Sequence, residues 1–149
     1  MIIPEVNGDH IKMVEWQAAK RRWKGLIVTS PNCTTTGTVM PLKPLDQAFT
    51  LRRVFATSIQ AVSGAGYPGV TFIDMSDNLV PYIRGEEEKI ESESLLLLGH
   101  ISGRERIPAS FQISAQANRG PIQHGHTVCL SVAFEDDRVS HARLLFLIG

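Results

Sequence analysis

Apolar and polar positions alternate with two different periods along this chain. Ile11, Val14, Ala18 and Ala19 are spaced for a short amphipathic helix over Ile11–Trp23 that ends in basic residues. Leu26, Ile27 and Val28 form a short apolar run that reads as a buried strand. A helical pattern follows from Thr34 through Ala48, where Pro41 and Pro44 are expected to kink or interrupt it. Val54–Ile59 reads as a second strand and Val70–Val80 as helical. Glu86-Glu87-Glu88 opens another helix, whose apolar side is Ile90 and Leu95–Leu98; such an acidic run reads by default as a solvated first turn. Arg104–Ser110 is a polar connector, and Phe111–Asn118 reads as a strand. In Thr127–Phe134 the alternation is clearest, with Val128, Leu130, Val132 and Phe134 on one face and Cys129 on the other. Met1–Gly8 is a lead-in without a strong period.

This order places Cys33 where a strand would give way to a helix. The unpaired N–H groups of the first helical turn and the positive end of its dipole favour a thiolate there, as for a nucleophile. The competing reading is a small buried residue that happens to precede a helix. Downstream, Gln60-Ala61-Val62-Ser63-Gly64-Ala65-Gly66 and Pro68-Gly69 permit positive φ and a close approach of backbone to a ligand, although an ordinary turn explains them equally well. Gln60 could simply satisfy backbone groups at a strand end. Arg119 could form a surface ion pair, and Glu86 with Lys89 an intrahelical one. His126 has a competitor in His124.

Composition narrows the function classes. The 149 residues suit one domain with a real core. Fifteen basic and fifteen acidic residues cancel, which argues against a nucleic-acid binder; the one basic knot, Lys20-Arg21-Arg22 and Lys24 around Trp23, reads as a solvated helix end. No apolar run approaches the roughly 20 residues of a membrane span. The opening MIIPEVNGDH does not read as a secretory signal. Cys33 and Cys129 imply no disulfide framework, so a reducing cytoplasm is the expected setting. His10, His100 and His141 show no metal-ligand spacing, and no metal is expected.

Five segments taken together resemble aspartate-semialdehyde dehydrogenase in its archaeal and fungal-like branch. They are Pro31-Asn32-Cys33-Thr34-Thr35-Thr36-Gly37, the Gln60–Gly69 loop, Gly85-Glu86-Glu87-Glu88-Lys89, Asn118-Arg119 and Gly125-His126-Thr127. The resemblance runs in order from Ile3 to about Phe134. It implies NADP-dependent reductive dephosphorylation of β-aspartyl phosphate to aspartate β-semialdehyde, a step of lysine, threonine and methionine biosynthesis. Under it, Cys33 is the nucleophile that forms a thioester, His126 the acid/base and Gln60 the group that orients the substrate. Arg119, seven residues before His126, would clamp the α-carboxylate; Glu86 would hold the amino group, Lys89 the phosphate, and Asn32 the phosphate or the nascent oxyanion. Ser63 and Gly64 would lie against the nicotinamide. Gly120 and Gln123 depart from the family's usual Arg-Val-Pro-Val run, which puts the local loop shape in question.

The fold implied by the resemblance is α+β: a mostly antiparallel mixed sheet with helices on one face, like the catalytic domain of glyceraldehyde-3-phosphate dehydrogenase. The chain is expected to be a partial catalytic and dimerisation domain truncated at both ends. Residues 1–25 would lead in from an NADP-binding domain outside it, which would carry most of the cofactor site, and residues 138–149 form an off-pattern tail. Small-molecule substrates and a homodimer or homotetramer follow, with no nucleic-acid or membrane partner. Two alternatives remain: a malonyl-CoA reductase-like acyl reductase, which shares the Cys/His scheme, and a non-catalytic dimerisation module.

Overall fold

In the computed structural model the described residues are 1–135 and Val139; the tail expected at 138–149 otherwise lies outside them. Four helices and six strands are seen among them: α1 (Pro4–Asn7), α2 (Lys12–Arg21), α3 (Cys33–Phe49), β1 (Leu51–Gln60), β2 (Val80–Pro81), α4 (Glu86–Leu98), β3 (His100–Ser102), β4 (Glu105–Ile107), β5 (Gln112–Arg119) and β6 (Thr127–Phe134). The main sheet has the order β2-β5-β1-β6. β1 runs parallel to β5 and antiparallel to β6, and β2 pairs antiparallel with the end of β5. This is the mixed, mostly antiparallel sheet that the family resemblance implies.

Alternation decides which face is covered. Val54, Ala56, Ser58 and Gln60 of β1 are buried, in register with Ile113, Ala115, Ala117 and Arg119 of β5. α3 and α4 lie over that face. α3 contributes Val39, Leu42, Leu45 and Phe49 at spacings of three and four, and α4 contributes Ile90, Leu97 and Leu98. Ile3 and Val6 of the lead-in are buried in the same core, so α1 is a packed element rather than a loose approach. On the other face Phe55 is 59% exposed, and Ser114, Ser131 and Cys129 are exposed beside it.

Several expectations are corrected. Leu26, Ile27 and Val28 do not form a buried strand: they are exposed and unassigned, joined to the lead-in by one backbone hydrogen bond from Ile2 to Thr29. A strand needs a neighbour that takes its backbone groups, and among the described residues these have none in ladder register. Val70–Val80 is not a helix; it holds a 3-10 turn at Ile73–Met75 and then β2. Pro41 and Pro44 do not interrupt α3, which continues through both. Its buried apolar stripe and its N-terminal cap outweigh the lost backbone donors. The polar connector at Arg104–Ser110 contains β4, paired with β3 as a small hairpin. α2 forms as expected but buries none of its residues.

Candidate active site

Asn32 starts α3 and sets the position of Cys33. Its Oδ1 accepts from the Thr34 and Thr35 N–H groups at 2.9 and 3.2 Å, closing the first turn as a side-chain cap. Its Nδ2 donates to Glu86 Oε2 at 2.7 Å, while its own backbone N–H donates to Glu93 Oε2 at 2.9 Å. Both ends of Asn32 are thereby tied to α4. Cys33 follows as the first helical residue, exposed, with its Sγ 3.2 Å from His126 Nε2.

His126 is held by two loops that bond to each other. After β1, the Val62 and Ser63 N–H groups donate to the Ile122 and Gln123 carbonyls of the β5–β6 connection. Gly125, at φ +83, makes the turn that delivers His126. The Ala61 N–H then donates to His126 Nδ1 at 2.9 Å. On the other side of the same residue, the Ala61 carbonyl accepts from Arg119 Nη1 at 2.6 Å and from the Gly64 N–H at 3.1 Å. Gly64 seats the imidazole: a Cβ there would lie 2.8 Å from His126 Cε1. Burial, with help from the Arg119 charge, lowers the His126 pKa below its ordinary 6.5, and Glu86 opposes this. Arg119 is buried at the end of β5, and among the described residues no carboxylate pairs with it.

Glu86, opening α4, is the hub of a second network. Its Oε2 accepts from Asn32 Nδ2 and from Gln60 Nε2 at 3.1 Å, and its Oε1 from Lys89 Nζ at 3.1 Å. Burial pushes the Glu86 carboxyl up, but hydrogen bonds from Gln60, Asn32 and Lys89 outweigh it and leave the pKa below 4.5. The same contact raises the pKa of the half-exposed Lys89. The two networks meet along the chain at residues 32–33 and again at residues 60–61.

Cys33, His126, Arg119 and Gly64 thus form one cluster, and Asn32, Gln60, Glu86 and Lys89 the adjoining one. Asn32 and Gln60 each spend an amide N–H on Glu86, so in this geometry both position the carboxylate. Ser63 is exposed on the short turn beside His126. His124 is exposed and outside both networks, and Cys129 sits on the far face of the sheet opposite Thr57. Sequence reasoning missed the Ala61 peptide, whose role is entirely backbone, and Glu93. It also took the run Glu86-Glu87-Glu88 as a solvated first turn, whereas Glu87 accepts from the Ala117 N–H of β5, as Glu91 one turn on does from the Ala115 N–H. Separations of 24 and 30 residues between those alanines and glutamates offer no local signal for such contacts; Glu87 and Glu91 at i,i+4 on one helix face is the only hint. Among the described residues no group of three or more His, Cys, Asp or Glu could hold a metal ion. Among the described residues no strand leads through a glycine-rich turn into an α-helix, the arrangement that cradles a dinucleotide's pyrophosphate; the turn after β1 that holds Ser63 and Gly64 runs into a short 3-10 turn instead.

Residues 42–146 match the family described as "Semialdehyde dehydrogenase, dimerisation domain". An aspartate-semialdehyde dehydrogenase of Methanothermobacter thermautotrophicus is 47% identical over 137 residues, which is 92% of this chain and 40% of that protein. A malonyl CoA reductase (NADP) of Metallosphaera sedula is 37% identical, over 92% of this chain and 39% of that protein. The crystal structure of aspartate semialdehyde dehydrogenase with NADP from Candida albicans superposes with a TM-score of 0.84 at 36% identity, covering 99% of this chain and 43% of that one. The chain therefore spans about 40% of the length of the curated relatives it matches.

Proposed function

The chain belongs to the semialdehyde dehydrogenase dimerisation-domain family, and on that premise we propose that it is the catalytic part of an NADP-dependent aspartate-semialdehyde dehydrogenase. The observation that carries the proposal is the 3.2 Å approach of Cys33 Sγ to His126 Nε2 beside a buried Arg119 that no carboxylate among the described residues pairs with. A buried guanidinium satisfied only by a carbonyl keeps donors for an anion and is costly until one arrives. Arg119 would receive the α-carboxylate of β-aspartyl phosphate. Glu86, held ionised by its three donors, would meet the amino group with the acceptor capacity that remains on Oε1. Lys89 would face the phosphate. The Cys33 thiolate would then attack the acyl carbon. A C–S bond forms, the C–O bond to phosphate breaks, and phosphate leaves with the electron pair. When bound, reduced nicotinamide supplies the hydride that takes the thioester to the aldehyde level. Ser63 and Gly64 would border it, and the rest of the cofactor would lie on a domain outside this chain, reached through residues 1–25.

The relative in Metallosphaera sedula favours a second reading, malonyl-CoA reduction, because Arg119 suits either substrate's carboxylate. Glu86 separates the two, since only the aspartyl substrate carries an ammonium for it to meet. The test uses the full-length protein that contains this chain. It should oxidise aspartate semialdehyde with NADP and phosphate, and should ignore malonate semialdehyde with coenzyme A. The reverse preference would establish the second reading, and turnover of neither would leave the non-catalytic dimerisation module. For assembly, the proposal seats a second copy on the open sheet face around Phe55, in a cytoplasmic setting. Light scattering should give a dimer or tetramer.

A further inference from the structure

We infer that His126 works as a fixed Nε2–H hydrogen-bond donor, first to the Cys33 thiolate and then to the carbonyl oxygen of the acyl group, and is not the base that removes the thiol proton. The inference rests on the reading of Cys33 as nucleophile and deepens it. Its basis is a proton inventory. A backbone N–H only donates, and the Ala61 N–H points at Nδ1 from 2.9 Å. Nδ1 must therefore be the unprotonated ring nitrogen, and a neutral imidazole then carries its single hydrogen on Nε2, the atom 3.2 Å from the sulfur. A thiol proton has no lone pair to move to on that nitrogen. An imidazolium would set two N–H groups head to head across the same 2.9 Å and strip a fully buried peptide of its partner.

The ring has little room to escape this arrangement, because the Gly64 backbone lies against its Cε1–Nε2 edge. Titratable groups face it from three elements: Cys33 of α3, Arg119 of β5 and Glu86 of α4. Burial and the Arg119 guanidinium both lower the imidazole's affinity for a second proton, in keeping with a ring that stays neutral.

The chemistry balances without His126 gaining or losing a proton. The Cys33 S–H proton goes to bulk water, which the exposed sulfur can reach. The thiolate forms the C–S bond while the acyl carbon's bond to the leaving oxygen breaks, and that oxygen departs with the electron pair. Throughout, the Nε2 hydrogen stays on nitrogen, and only its acceptor changes from sulfur to oxygen. Ala61 is then a positioning residue that fixes the tautomer through its peptide N–H.

The test is imidazole nitrogen NMR on the chain labelled with 15N-histidine, read alongside thiolate absorbance across a pH titration. The expected result is a protonated Nε2 and a bare Nδ1 before and after Cys33 ionises. A proton on Nδ1, or an imidazolium appearing as the thiolate forms, would overturn the inference. Alkylation by iodoacetamide gives a second reading. The amide N–H of His126→Gln offers a donor but no base. That variant should label Cys33 at least about threefold faster than His126→Ala, which lacks both, as expected for a retained hydrogen bond acting on thiolate fraction. Equal rates would also overturn it. If Cys33 in the unaltered chain labels no faster than Cys129, the nucleophile assignment fails, while the NMR still reports the tautomer separately.

Discussion

Replacing Gly64 by alanine isolates the imidazole's position without touching a titratable group. The added Cβ would sit 2.8 Å from His126 Cε1, 3.1 Å from Nε2 and 3.6 Å from Arg119 Nη1. Ordinary carbon contacts need about 3.5 Å or more, so the ring must retreat by roughly 0.7 Å. It has no direction that keeps both of its hydrogen bonds, at 2.9 Å to Ala61 and 3.2 Å to Cys33. Losing a hydrogen bond to a charged partner costs about 1.5–3 kcal/mol, which lowers the thiolate fraction about 10- to 100-fold where the thiol predominates. The remaining thiolate is more basic and more nucleophilic, with a Brønsted slope of about 0.4–0.5, so the alkylation rate should fall by only roughly 3- to 16-fold. Overpacking costs about 1–3 kcal/mol, offset in part by the lower entropy of an alanine-containing unfolded chain. A fall in Tm of a few degrees should accompany the kinetic loss. The assay is iodoacetamide labelling followed by peptide mass spectrometry, with Cys129 as internal reference, plus a thermal melt. A Gly64→Ala chain that labels Cys33 at the unaltered rate and melts at the unaltered temperature would refute the reasoning.

Other predictions follow from the same geometry. Arg119→Lys keeps the charge but not the fork that reaches the Ala61 carbonyl and a carboxylate at once; KM for aspartate semialdehyde in the full-length protein should rise about 10-fold or more with a smaller change in kcat, and an unchanged KM would contradict the assignment. Asn32→Ala removes the α3 cap and one of the three donors to Glu86, so denaturant unfolding should show a loss of about 1–2 kcal/mol, against a few tenths if the cap is idle. His10 is buried, with its Nδ1 in contact with Asn7, and burial lowers its pKa below 6.5 despite Asp9 and a bond to Gly99, with Arg106 and Lys43 adding to the lowering. A base whose folded pKa is lowered binds its proton more readily when unfolded. Stability should thus be full above pH 6.5 and fall as pH drops from there to the folded values of His10 and His126. His10→Gln should flatten part of that slope, and an unchanged slope would remove His10 from the explanation. Glu86 has the opposite origin and a lower window: its contribution should be present above pH 4.5 and lost as pH falls through its lowered folded value, a leg that Glu86→Gln abolishes.

Much of the site was legible in the chain, but unevenly. Cys33 falls at a helix start, as the helical pattern from Thr34 implies, although no strand among the described residues precedes it, and the spacing of Glu86 and Lys89 places both on one helix face. The alternation in Thr127–Phe134 gave the face of β6 correctly, because Val128, Leu130, Val132 and Phe134 are half-buried while Cys129 on the other side is exposed. Leu26–Val28 misled because apolar character signals a demand for burial and does not supply the neighbouring strand. α3 ran through Pro41 and Pro44 because tertiary packing along Val39, Leu42, Leu45 and Phe49 overrides local propensity. The parallel pairing of β1 with β5 brings Gln60 beside Arg119, a contact across 59 positions that no local pattern encodes. Ala61 was invisible for a plainer reason: its side chain does nothing at the site, and its peptide N–H and C=O, which every residue of its kind has, hold His126 and Arg119.

The most direct measurement is competitive alkylation of the two cysteines within one unaltered chain. Cys33 and Cys129 are both exposed, so access alone predicts similar rates. A sulfur at a helix N-terminus under an imidazole N–H should label at least about tenfold faster than one in the middle of a strand. Equal rates, with the fold shown intact, would contradict the account.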